Sequence, residues 1–154
     1  MKRFLRNLTA AMISILLIMS VAYGRDGSAT QQHYSFGGLN VLVVSWIAGT
    51  AGAFTDYETR NIDGVVGLVE TNPGATSPTA SYDITIKNKS GLDIMGGLFA
   101  DRSATSPESA APYDSVNDVP LNYPVIGPLT IGISGNSVTG ALGTITFFYW
   151  VDKK

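Results

Sequence analysis

Apolar and polar residues alternate most cleanly in SYDITIKNKSGLDIMGGLFADR, residues 81–102. Tyr82, Ile84 and Ile86 are apolar, while Asp83, Thr85 and Lys87 are polar. A period of two predicts a strand with one face on a core and the other in water. Asn88, Lys89, Ser90 and Gly91 supply turn chemistry, and Leu92–Met95 resumes the apolar pattern. The stretch therefore reads as a β-hairpin, broken at Gly96-Gly97, on which the other strands pack.

The same reading extends along the chain. Leu39–Ala48, with Trp46, is a β-branched run that fits a strand buried on both faces. Phe54–Ile62 and Val65–Thr71 read as strands, separated by the turn signal Asp63-Gly64. Leu129, Ile131 and Ile133 alternate with polar neighbours over Pro128–Ser134. In Thr144–Val151, Ile145, Phe147, Tyr149 and Val151 point one way and Thr144, Thr146, Phe148 and Trp150 the other, so these two strands form a second hairpin. Residues 103–122 carry Pro107, Pro112 and Pro120 and read as a long irregular loop. A loop of that length is usually functional, an interface arm or mobile. No amphipathic helical period follows residue 24.

Residues 1–24 differ from all of this. Lys2, Arg3 and Arg6 form a basic head, Leu8–Ala22 is apolar apart from Thr9, Ser14 and Ser20, and Ala22-Tyr23-Gly24 places small residues before Arg25. This is the pattern of a secretory signal peptide, a hydrophobic helix cut near Gly24. An uncleaved anchor is the alternative, and a true start at Met19 would remove most of the segment. Arg25–Gly38, polar with paired glycines, reads as a flexible lead-in. The expected organisation is signal or anchor 1–24, lead-in 25–38 and one β domain over 39–152. The expected fold is all-β, a sandwich or jelly-roll-like domain of six to seven short strands.

Composition narrows the function. Charged residues make up only 14% of 154, glycine numbers 17, and the net charge is −2. Without the three basic residues of the head the body carries −5, which argues against binding a nucleic-acid backbone. With no cysteine, disulfides, thiolate catalysis and Cys-ligated zinc are excluded. His33, the one histidine, lies in the lead-in, a poor place to hold an imidazole for a Ser-His-Asp site. Asp56 with Glu58 and Asp93 with Asp101 offer carboxylates, but no DxDxDG-like calcium loop contains them. No GxxxxGK or GxGxxG phosphate loop is present. No catalytic, metal or cofactor-binding residue is therefore assigned, and no cofactor is expected. The candidate contact residues are Tyr113 in the long loop and Phe148 and Trp150 on the last strand. These two rings either lie between two layers or face a partner.

Asn72-Pro73-Gly74, the Tyr82–Ile86 strand, and the run Gly91, Asp93, Gly96, Gly97, Ala100, Arg102 form a set with Gly127–Ile131 and Gly143–Thr146. Trp46 precedes Gly52-Ala53-Phe54-Thr55 in the same order. Over residues 41–151 this set resembles small virion structural proteins encoded by tailed phages and prophages. The resemblance implies a non-enzymatic β domain that assembles on a capsid or tail protein or on itself. The head 1–24 departs from that pattern, since a virion protein assembled in the cytoplasm needs no signal peptide. The alternative reading takes the head at face value: an exported bacterial β-sandwich surface protein, periplasmic or extracellular, binding a protein or glycan. In that case membrane contact is made only through an uncleaved head.

Overall fold

The computed structural model describes residues 26–151. The head 1–24, with its signal-like helix, lies outside the described residues. Eleven strands follow: β1 Ser28–Phe36, β2 Leu39–Ile47, β3 Tyr57–Glu58, β4 Gly64–Pro73, β5 Asp83–Lys87, β6 Glu108–Ala110, β7 Tyr113–Asp114, β8 Val119–Pro120, β9 Tyr123–Val125, β10 Thr130–Ser134 and β11 Leu142–Trp150. A single 3₁₀ turn, Thr50–Gly52, is the only helical element among the described residues. The protein is all-β, as expected. The strand count exceeds six or seven because β3 and β6–β9 are pieces of two or three residues.

Every strand pairing is antiparallel. The main sheet runs β1-β2-β11-β4, with β6 and β9 side by side along the far edge of β4. A second sheet runs β3-β10-β5, and β7-β8 is a small ribbon. Leu42, Val44 and Trp46 of β2, Ile145, Phe147 and Tyr149 of β11, and Val66 and Val69 of β4 meet Ile84, Ile86, Ile131 and Ile133 of the second sheet in one buried cluster. The alternation read from the sequence is therefore correct, and it aims both sheets at a shared core.

Several expectations change. Residues 103–122, expected as an irregular loop, carry the short strands β6, β7 and β8, and of the strand expected over Phe54–Ile62 only Tyr57–Glu58 forms. Residues 28–36, expected as a lead-in, form a nine-residue strand in unbroken register with β2. Gly37 and Gly38 both take positive φ, +59° and +118°, and close a two-residue hairpin. Accordingly β2 is fully buried on one face only; Leu39, Val41, Val43 and Ile47 on the other are half-buried.

The hairpin expected over 81–102 shrinks to two isolated bridges, Lys87 with Asp93 and Tyr82 with Arg102. Asn88 Oδ1 accepts from the amides of Ser90 and Leu92, both at 3.0 Å, and forms the turn. The Asp93 carboxylate then takes the amides of Ile86 (3.2 Å), Met95 (3.1 Å) and Gly97 (3.0 Å). A return strand would have used those donors in a ladder; instead the chain coils along the edge of β5 and buries Ile94, Met95 and Phe99.

The second expected hairpin does not form either. β10 pairs with β3 and β5, while β11 pairs with β2 and β4 in the other sheet. The link between them runs from the second sheet to the main sheet and is held by Asn136, whose Oδ1 accepts from the amides of Thr79 (3.0 Å) and Val138 (3.1 Å). Both strands carry apolar inner faces, and both faces are buried in one core cluster.

Candidate protein interface

β11 is the middle of the main sheet, and its burial alternates residue by residue. Phe147 and Tyr149 point inward and are buried, Phe148 is half-buried on the outer face, and Trp150 is 45% exposed there. Both rings therefore lie on the outer face of the sheet and not between two layers.

Cross-strand register collects further apolar residues beside them. Phe36 pairs with Leu39, Leu39 with Trp150, Trp150 with Val65, and Val65 with Pro124. This row spans five strands, about 19 Å at the usual interstrand spacing. Tyr34, Val41, Phe148 and Leu68 form the next row. Phe36 is 64% exposed and Tyr34 45%. Neither row holds a charged side chain. Further along the sheet the same face turns polar through Thr144, Thr146, Ser45 and Asn72. Beyond Trp150, the exposed Ile126 and the half-buried Val65 wall an open depression of about 330 Å³.

A bulge sets the aromatic edge of this face. Phe148 pairs with Leu68 and Tyr149 with Val66, which leaves Gly67 as the extra residue of β4. The Trp150 ring lies directly over Gly67. With no side chain at 67, the indole can lie flat on the sheet and present its other face to solvent.

Tyr113, the third candidate, is elsewhere. It sits on β7, its backbone N–H donates to Ile94 O at 3.0 Å, and its hydroxyl donates to Asp118. That hydrogen bond, more than its surroundings, raises the phenol above its ordinary pKa. Tyr113 lines a separate cavity of about 220 Å³ with Leu92, Val116 and Leu121. The structure brings Phe148 and Trp150 together and leaves Tyr113 on the β7-β8 ribbon.

The remaining polar candidates do not converge on a site. His33 lies on exposed β1, its ring centroid 6.1 Å from that of Tyr149. Asp93 is engaged by three amides and does not pair with Arg102. Arg102 instead donates to Leu98 O at 2.7 Å, lies 4.9 Å over the Phe99 ring and approaches Glu108 at 3.7 Å. Among the described residues no three His, Cys, Asp or Glu side chains converge as metal ligands would, and no helix is long and apolar enough to cross a membrane.

No family model, curated protein or solved structure matches the chain. The contact face consequently rests on its own geometry. Sequence reasoning singled out Phe148 and Trp150; the register sets Tyr34, Phe36, Leu39, Val65 and Leu68 beside them, which sequence reasoning did not single out. One signal was available: Gly37-Gly38 between two extended runs is a hairpin mark, and it pairs Tyr34 with Val41 and Phe36 with Leu39.

Proposed function

We propose that this chain is a non-enzymatic structural protein of the phage virion type, which decorates a capsid or tail through protein–protein contacts. The observation that carries the proposal is the uncharged row Phe36–Leu39–Trp150–Val65–Pro124 on the outer face of the main sheet. An exposed apolar patch with aromatic residues at its centre and a polar margin has the make-up of a protein interface. The partner that fits is an apolar, weakly charged protein surface. On a symmetric particle each copy needs only a modest contact, because many copies attach together. In this reading the two sheets are the layers of a β-sandwich, which their shared core supports. The resemblance of residues 41–151 to small virion proteins points the same way.

The basic and apolar head favours one rival, an exported β-sandwich surface protein with a protein or glycan partner. The deciding experiment isolates particles and secreted fraction from the native source and determines the intact mass and N-terminal sequence in each. Recovery with particles, lost in a Trp150→Ala variant that remains folded, supports the virion assignment. A chain beginning at Arg25, found in the secreted fraction and absent from particles, overturns it in favour of export.

A further inference from the structure

The two long borders of the main sheet are treated differently. On the far side β6 and β9 are three residues each, β9 contains Pro124, and β6 begins with Glu108 after Pro107. Short strands, prolines and charges are the usual devices that stop a sheet edge from recruiting another strand. In the second sheet, β3 is two residues long, and the coil 93–102 runs along the outer side of β5. β1 carries none of these devices. It has nine residues with no proline, glycine or charge, its register with β2 is unbroken, and eight of its residues are exposed. Among the described residues no strand pairs with its other side.

The hairpin decides which backbone groups are free. A two-residue turn closes on a hydrogen-bonded pair, here Phe36 and Leu39. Tyr34, Gln32, Thr30 and Ser28 then also bond to β2, while Ala29, Gln31, His33 and Ser35 turn their N–H and C=O groups to the open edge.

The geometry points to antiparallel pairing of β1 with β1 of a second copy, about a two-fold axis at Gln32. In that register Ala29 faces Ser35, and Gln31 faces His33. These are the four outward-turned residues, so each free amide meets a free carbonyl, about eight hydrogen bonds in all. On the outer face Gln32 meets Gln32, Thr30 meets Tyr34, and Ser28 meets Phe36, pairing small hydroxyl residues with rings. Since β1 is uncharged, no like charges oppose within it. Asp26, the nearest acid before it, falls opposite Gly38 of the second copy. The axis stands perpendicular to the sheet, so the main sheet continues from one copy into the next. Both apolar rows then face the same side. A foreign strand could use the same edge, but the self-register and the absence of charge favour a second copy.

Gln32 allows a test that spares the fold, because its side chain is exposed and on the axis. Sedimentation equilibrium of the chain as isolated is expected to give a dimer. Gln32→Lys and Gln32→Glu should each raise the dimer dissociation constant at least tenfold, with circular dichroism and thermal midpoint nearly unchanged. An equimolar mixture of the two variants should recover a dimer containing one of each. A wild-type chain that is monomeric at tens of micromolar overturns the proposal, whether or not it captures a strand of another protein. So does a dimer whose dissociation constant ignores both substitutions. Particle binding is a separate readout, so failure of the virion assignment leaves this result standing.

Discussion

Trp150 occupies the space that a side chain at residue 67 would need. A methyl group on Gly67 would lie 2.8 Å from Cη2 of the indole and closer still to Cζ3. The pair couples the bulge in β4 to the exposed ring on β11. Gly67→Ala is expected to push the ring off the sheet, at about 1–2 kcal/mol, and to shift its fluorescence to the red. In a Trp150→Ala background the same substitution should be nearly neutral. Urea unfolding of the four proteins measures the coupling; additive effects would show that the ring does not rest on Gly67.

The inner face holds a second tryptophan on a second glycine, with less freedom. Trp46 is 2% exposed, pairs with Gly143 across β2 and β11, and touches Phe54 and Tyr82 at centroid distances of 6.3 and 5.9 Å. A methyl on Gly143 would lie 2.6 Å from Cζ2. Trp150 can swing into solvent, whereas Trp46 is packed on all sides. Gly143→Ala should therefore destabilise more than Gly67→Ala, by about 2–4 kcal/mol. The check is a lower urea midpoint at an unchanged slope, which marks lost stability rather than an altered unfolded state. Equal losses for the two substitutions would contradict the difference in freedom.

These glycines also show what was legible in the sequence. Alternation in Tyr82–Lys87, Leu129–Ser134 and Thr144–Trp150 located three strands and their inward residues, because a half-buried strand must repeat every two positions. Partner choice was not legible. β10 and β11 are adjacent in the chain and look like a hairpin, yet the link at Asn136 leads from one sheet to the other. On the candidate face, the outward placing of Phe148 and Trp150 could be read from their own strand. The row from Phe36 to Pro124 depends on the register of five strands, and no local pattern encodes that. His33, Tyr34 and Phe36 were read as lead-in because β1 is polar and contributes almost nothing to the core.

Asp93 is the residue that turns a would-be hairpin into a coil, so its removal should be felt locally. Asp93→Ala leaves the Ile86, Met95 and Gly97 amides without their acceptor and is expected to lower stability by about 2–3 kcal/mol. Asp93→Asn keeps an oxygen for Ile86 and Met95 but turns an amide group toward Gly97, so it should fall between alanine and wild type. Hydrogen exchange at these three amides reports the effect directly. Faster exchange confined to them and their coil supports the role; unchanged exchange in the alanine variant would remove it.

Tyr82 gives the fold an alkaline limit. Burial, reinforced by the nearby Glu108 carboxylate and opposed by Arg102, pushes its phenol from 10.0 up to about 12. The neutral form is thus favoured in the folded chain. The stability it contributes is complete below pH 10 and is lost progressively as pH rises from 10 to about 12. Over that window the loss is on the order of 2–3 kcal/mol. Tyr82→Phe has nothing to ionise there. Tyr149 is also raised by burial but is present in both proteins, so its effect cancels in the difference. Urea midpoints at pH 8 and pH 11 should show wild type losing stability relative to Tyr82→Phe. Glu108→Gln removes the carboxylate that disfavours the phenolate, and should make the loss smaller. Parallel pH curves for wild type and Tyr82→Phe would mean that Tyr82 ionises as easily folded as unfolded, and that its burial beside Trp46 does not hold in solution.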